Sequence, residues 1–485
     1  MSDGRLPFFV LHFSRFNINL YFAFIFIKMK KPGTKLLASI FIIVIFFSKG
    51  FSQDGNPLQF LSNVSQSAQF NPAIQNKSEK LVVGLPFISG IDFDWKSNFS
   101  PDYIFYQNFN YSFNRFFTEL GKPGDAISSV SFPFIYLSLR QDQHNFSFSV
   151  REKVLAETVF NHEVLQFIDR GLIDYYGNDA NFGPINFKSF YYREFAVGYS
   201  NQVWDGLTIG IRPKLLSANF YYNVTDLNYS LQTDEVAQQL LLTPTGSYTI
   251  SGPIDVNYIE DVNYTEIRPN PRPADYIFNF KNLSPALDIG INYRSEQGFE
   301  ISASVIDIGY INFKDNNYDV DFVEPIQYDR EDLYQSNNPD ALNYKEPKVA
   351  LQELTDSIPY IISATPFNQR IKQEIPTKIN LSLKQQITKQ TEVGLSGQLK
   401  FYEDRSEQYI TGLIHQQFSP KFEIAGTISL LNFDKILPGI GLSYTGRWVQ
   451  YYLSANNITS LLKPSSAKYL NLSIGVNFLF STIEK

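Results

Sequence analysis

From residue 53 onward the chain is dominated by a two-residue rhythm. In the last segment Leu470, Leu472, Ile474, Val476, Phe478 and Phe480 are apolar, and Asn471, Ser473, Gly475 and Asn477 between them are polar or small. Leu287, Ile289, Ile291 and Tyr293 alternate in the same way with Asp288, Gly290, Asn292 and Arg294. Phe422, Ile424, Ile428 and Leu430 alternate with Glu423, Thr427 and Ser429, and Val393, Leu395, Leu399 and Phe401 with Glu392, Ser396, Gln398 and Lys400. Shorter runs recur at residues 146–150, 195–199, 207–215, 299–305, 379–383 and 449–455. Successive side chains of a strand point to opposite faces, so this period predicts strands with one apolar and one polar face.

A soluble sandwich alternates too. Three features favour a transmembrane antiparallel β-barrel. The segments reach about ten residues, which suits a tilted membrane strand. The polar set carries many charges, among them Arg151, Glu194, Arg212, Lys214, Asp288, Arg294, Lys384 and Lys400. The third feature is the spacing of the connections. With the C-terminus in the periplasm, the sequence predicts about fourteen strands, an even number within the bacterial range. Short inner turns fall at 142–144, 202–206, 295–298, 388–390, 419–420 and 445–447. Outer connections fall at 89–129, 155–189, 231–285, 313–375, 404–407, 433–437 and 457–468. Inner turns are short throughout and several outer loops are very long, as in outer-membrane barrels. Within 155–189, Val164, Phe167, Ile168 and Leu172 keep a helical period and predict a helical insert.

Composition narrows the choice. The 485 residues are 44% hydrophobic and only 18% charged, with 44 Phe and 30 Tyr, residues that favour a pleated, half-buried surface. Mean hydropathy is -0.18, too low for a bundle of membrane helices. A net charge of -7 gives no basic excess for phosphates, so nucleic acid is not an expected partner. The chain has no Cys, which removes disulfides, thiolate metal sites and cysteine nucleophiles.

Met29, Lys30, Lys31 and Lys35 precede the apolar run 36–47, and Gly50-Phe51-Ser52 places small residues at the −3 and −1 positions of a cleavage site. This is the layout of a secretory signal. The expected organisation is therefore an upstream extension at 1–28 with Met29 as initiator, a signal peptide at 29–52, an N-terminal periplasmic plug or hatch at 53–78 and the barrel at 79–485.

Asn71-Pro72-Ala73, just before the first strand, resembles an element near the N-terminus of fatty-acid-transporter-like barrels and of barrels associated with type IX secretion in Bacteroidota. Residues 61–86, 193–216 and 286–311 are together similar to one uncharacterised Bacteroidota outer-membrane barrel family, a domain of unknown function. Only the Trp expected near Phe313 is missing. The resemblance covers essentially the whole mature chain. It implies an outer-membrane barrel, with Asn71, Pro72 and Ala73 as candidate plug residues.

Asp307 breaks the alternation after Val305, which predicts a bulge. Glu194, Arg212, Lys214, Asp288 and Arg294 are candidate lumen charges, read first as a mutually satisfied network because buried charges are normally paired. Tyr191-Tyr192, Tyr221-Tyr222, Trp204, Trp448 and Tyr451-Tyr452 are expected to form girdles at the headgroup level. The four histidines, His12, His144, His162 and His415, show no metal-ligand spacing. There is no Gly-x-Ser-x-Gly, and Gly441-Leu442-Ser443-Tyr444-Thr445 lies on an alternating strand. No catalytic residue, metal or cofactor is expected. The leading function is a channel or transporter for small or hydrophobic solutes. The alternative is an accessory barrel whose loops bind a surface or secretion partner. Outer-membrane lipids and the barrel-assembly machinery are the remaining expected partners.

Overall fold

The computed structural model describes residues 56–75, 81–101, 105–106, 110–111, 123–161, 163, 179–233, 240–262, 264–269, 272, 276, 279–328, 356–403 and 405–480. The expected signal sequence at 29–52, the expected extension at 1–28 and the helical insert expected at residues 164–172 lie outside them.

Fourteen strands form one antiparallel cylinder. Strand β1 runs in two pieces, Leu81–Gly84 and Ile91–Ser97. It is followed by β2 (Gly124–Gln141), β3 (His144–Phe160), β4 (Ala180–Trp204) and β5 (Leu207–Thr233). Next come β6 (Leu283–Arg294), β7 (Phe299–Phe313), β8 (Thr377–Gln386) and β9 (Thr391–Phe401). The wall continues through β10 (Ser406–Ser419), β11 (Phe422–Leu431), β12 (Lys435–Thr445), β13 (Val449–Ala455) and β14 (Tyr469–Phe480). Strand β14 pairs back onto both pieces of β1, with Leu81 opposite Phe480 and Ile91 opposite Ile474. Closure leaves the wall without an open edge, which is what a sheet needs in lipid.

The two faces are inverted relative to a soluble sheet. Along β11 the inward Glu423, Ala425, Thr427 and Ser429 are buried, while Ile428 on the outer face is 64% exposed. Along β14 the inward Asn471, Ser473 and Asn477 are buried, and Ile474 and Phe480 are exposed. Ile209, Ile211, Ile289, Ile291, Ile414 and Val197 extend the exposed apolar surface around the cylinder. A surface of this kind belongs in contact with lipid.

Two strands are far longer than a bilayer requires. A membrane strand needs about 9–11 residues; β4 has 25 and β5 has 27. Their far halves carry a lobe. Tyr221 to Thr233 of β5 pair with Leu240–Ser251, which pairs with Asn317–Phe322, which pairs with Ile362–Phe367. Phe182, Leu231, Leu242, Val320 and Ile362 form its core, and the hairpin Ile254–Ile259 with Tyr264–Pro269 packs on it. The connections read as loops at 231–285 and 313–375 are therefore corrected: among their described residues they are largely β-structure. Asn317–Phe322 is short and finds both its partners far along the chain. The connections at 89–129 and 155–189 are shorter than expected, because β1 resumes at Ile91, β3 reaches Phe160 and β4 begins at Ala180.

Between the pieces of β1, Gly84 stands opposite Asn477 and Ile91 opposite Ile474, so β1 spends extra residues here. They bulge outward and expose Leu85, Phe87 and Ile88, with the Phe87 ring 5.5 Å from Phe132 and 5.9 Å from Phe134. The ladder is not lost, since Phe87 N–H donates to Pro133 O and Val476 N–H to Ile88 O.

Candidate functional site in the barrel lumen

Residues 56–75 lie inside the cylinder. Asn56 caps the 3-10 turn Pro57–Phe60, its side-chain oxygen accepting from Leu58 N–H, and a second 3-10 turn spans Ser65–Gln69. Short turns suit a segment that must reverse direction within a narrow bore. The segment bonds to strands on every side. Asn56 Nδ2 donates to Asn471 and Ser473 of β14, and Gln66 Nε2 to Ser89 O and Asn477. Phe70 O accepts from Ser304 of β7 and Asn380 of β8, and Gln75 Nε2 donates to Gln143 O beside the β2–β3 turn. Leu58, Phe60, Leu61 and Val64 pack on Leu413, Ala425 and Tyr452.

Asn71, Pro72 and Ala73 form a tight turn. Ile74 N–H donates to Asn71 O, and the Asn71 side chain accepts from Ala73 N–H, an Asx arrangement that Asn followed by Pro favours. The turn rests where Gly210 of β5 faces Gly290 of β6. A Cβ at Gly210 would strike the backbone of Pro72 and Ala73, and one at Gly290 the Asn71 side chain. Asn71 Nδ2 adds a bond to Ile291 O.

Asn63 is held at both backbone groups. Its N–H donates to Glu423 Oε1 at 3.1 Å, and its carbonyl accepts from Gln450 Nε2 at 2.8 Å. Glu423 also accepts from Ser62 Oγ, Ser443 Oγ and His415 Nε2, the last at 3.0 Å. The charged acceptor is thus satisfied from four directions, as burial demands.

Farther along the bore, two arginines grip the segment. Arg212 donates from Nη1 to Ala68 O and from Nη2 to Gln69 O, both at 3.0 Å, and pairs with Asp288. Arg151 donates to Gln69 Oε1, Gly90 O, Ser131 Oγ and Asp92. Beside them Lys214 contacts Glu194 at 3.3 Å, Asp288 at 2.9 Å and Asp307, and Lys153 contacts Glu194 at 2.7 Å. The bulge expected at Asp307 is present: Asp307 has a positive φ of 61°, and the β6–β7 register shifts there. An extra residue reverses which side chains face inward. Ser302, Ser304 and Ile306 face in before it, Ile311 and Phe313 after it, and Asp307 itself turns onto Lys214.

Glu194, Arg212, Lys214 and Asp288 therefore meet in one network. Arg294 does not join them; it sits near the tight-turn end, half-exposed, and pairs with Glu392 at 2.6 Å. Arg193 faces the other side of the wall, paired with Glu152. Arg151, Lys153, Asp307 and Glu423 were not among the expected lumen charges. For Arg151, Lys153 and Glu423 the signal available was strand parity, since each is in phase with inward neighbours. Trp204, Trp448 and Tyr451 are exposed, as a girdle requires, whereas the girdle expectation is corrected for Tyr192, Tyr221 and Tyr452, which are buried. Adjacent strand residues point opposite ways, so a Tyr-Tyr pair cannot place both rings outside.

Above the segment lies a partly open cavity of about 170 Å³, floored by Gln66, Ala68, Gln69 and Phe70. Arg151, Lys153, Arg212, Lys214, Lys378 and Lys400 line it against four carboxylates, with Asp288 a fifth, buried beneath Arg212 and Lys214 on the inner face. Toward the end with the long connections, a wider vestibule of about 610 Å³ is bounded by Lys96, Asp125, Tyr402, Arg405 and Glu407. The Lys96–Glu407 ion pair stands at its edge.

Residues 72–456 match the model of a family of unknown function, DUF5723. The chain belongs to that family. No curated protein matches it. Among solved structures it is similar to the Ralstonia pickettii toluene transporter TbuX, at 12% identity over 90% of this chain and 100% of that one, with a TM-score of 0.42. A Pseudomonas aeruginosa FadL homologue is 9% identical over 86% of this chain and 93% of its own, at 0.35. The translocator domain of the autotransporter NalP from Neisseria meningitidis is 6% identical over 83% and 89%, at 0.28. The closure of this DUF5723 barrel rests on its own strand pairing.

Proposed function

We propose that the protein is an outer-membrane channel for small solutes whose N-terminal segment is its gate. One observation carries this: residues 56–75 fill the bore of a closed barrel, with an ionic cavity against them and a wider vestibule toward the long connections. The segment is held by discrete hydrogen bonds and a glycine notch, contacts that can be exchanged one by one. A permanent filler would need no ionised cavity above it. The cavity wall is ionic and amide-rich, which favours polar solutes over the hydrocarbons that some similar barrels carry. The apolar outer face supports a membrane site, and the signal at 29–52 supports export and cleavage. The role is non-enzymatic. In planar bilayers, deleting residues 53–78 should convert closed traces into a steady open conductance. Unchanged closed traces would sink the channel.

A second role has its own support. The lobe on β4 and β5 has a hydrophobic core of its own, which makes it a rigid platform for a surface or secretion partner. Removing residues 240–269 should then abolish partner recovery in affinity purification while leaving the barrel folded; recovery of the same proteins without the lobe would dismiss it.

A further inference from the structure

Arg212 and Arg151 each hold one carboxylate, Asp288 and Asp92, yet grip the luminal segment and its surroundings through neutral acceptors. Two guanidinium groups, each with a side chain close to nine-tenths buried, spend four N–H groups on neutral oxygens: Ala68 O, Gln69 O, Gln69 Oε1 and Gly90 O. A guanidinium fork matches a carboxylate or phosphate, and a charged acceptor makes bonds roughly twice as strong as a neutral one. The two outer nitrogens of Arg212 already diverge onto two separate carbonyls, the places a single oxyanion would take. Lys153 and Lys214 stand beside them on the same wall, and the cations of the cavity and its wall outnumber the carboxylates by six to five. A cavity of about 170 Å³ has room for a small hydrated oxyanion.

We infer that the cavity floor is a binding site for a small oxyanion, carboxylate or phosphate, at Arg212 and Arg151, and that filling it releases residues 68 and 69. The inference rests on the gated-channel proposal, because it names what would open the gate. Occupancy and gating become one exchange: the incoming anion takes the N–H groups of Arg212, and the carbonyls of Ala68 and Gln69 lose their donors. Asp288 and Asp92 stay as the arginines' fixed partners, so the site is only moderately attractive and can let its ligand go. A tight site would trap the solute.

The chain contains no cysteine, so Ser67→Cys provides a single label position that is buried in the closed state. In the full chain reconstituted in lipid, the labelling rate with a polar maleimide is followed as inorganic phosphate, acetate, chloride or glycerol is added at constant ionic strength. Phosphate or acetate should raise the rate roughly tenfold and saturate, with chloride and glycerol inactive, because only an oxyanion matches the fork. The stronger of the two identifies the oxyanion class. Arg212→Lys keeps the charge without the fork and should remove the response; Arg212→Gln should label fast with no added anion. A rate indifferent to both oxyanions, or raised equally by glycerol, overturns the site. Conductance of the chain lacking residues 53–78 separates the two proposals. A conducting barrel with an indifferent label keeps the channel and removes the site; a silent barrel with a responsive label does the reverse.

Discussion

Gly210 and Gly290 face one another across β5 and β6, and the Asn71-Pro72-Ala73 turn occupies the space their missing side chains leave. Gly290→Val should unseat the turn. Crowding a packed contact costs about 1–3 kcal/mol, a small part of a barrel's stability and a large part of one turn's. The variant should still migrate faster unheated than boiled on a denaturing gel, and should show frequent openings in planar bilayers. A closed, wild-type trace would mean that the notch does not hold the segment.

Glu423 should anchor the segment more firmly than Gln450 does, because its carboxylate accepts from both Ser62 and Asn63. A hydrogen bond to a charged group is worth about 1.5–3 kcal/mol. Glu423→Ala should therefore raise open probability more than Gln450→Ala does, since Gln450 gives the segment one neutral bond. Equal effects of the two would argue against the ranking.

Lys214 is buried to 2% among Glu194, Asp288 and Asp307. Removing one member of such a group strands the others, at about 3–5 kcal/mol. Lys214→Met should lower the temperature at which the folded gel band is lost, and adding Asp288→Asn should recover part of the shift. Additive losses in the double variant would show that the residues do not act together.

Trp204 and Trp448 stand beside tight turns, exposed on the outer surface, whereas Trp95 bonds to Ala467 O near the opposite rim. In a Trp95→Phe background, lipids brominated near the headgroup should quench the remaining emission more than lipids brominated at the chain end. The reverse order would move the membrane boundary away from those turns.

Glu403, in the connection between β9 and β10, lies outside the membrane-spanning wall. The hydrogen bond from Lys188 at 2.9 Å holds its carboxyl below the usual range. A depressed carboxylate stabilises the fold above its unfolded pKa and loses that contribution as pH falls through the folded one. The pair is partly exposed, so its worth is about 0.5 kcal/mol. Wild type and Lys188→Met should differ slightly in melting temperature at neutral pH and coincide in acid. A difference that persists in acid would assign the effect to packing.

The cylinder was legible because its rule is local. Two faces, period two and a tight turn after each second strand are all written in neighbouring residues, and β11, β12 and β14 carry the pattern over most of their length. The lobe was less legible, although Tyr318, Val320 and Phe322 do alternate with Asp319 and Asp321. Six residues are too few to stand out, and their partner strand is far away in sequence. The lumen network was half legible. Parity places Glu194, Arg212, Lys214 and Asp288 on the inner face, but only the fold shows that the bulge brings Asp307 to Lys214 and leaves Arg294 near the rim. The Asn-Pro-Ala turn announced itself; its seat, two isolated glycines on separate strands, did not.

The wall closes only when β14 meets β1, and the luminal segment is bonded to β14 through Asn56 and Gln66. The segment precedes every described strand, and β14 is the last of them. Both described ends of the polypeptide thus meet at one seam. If that seam is the last pairing to form, sealing the cylinder and stoppering it fall together, and a newly made barrel would not stand open.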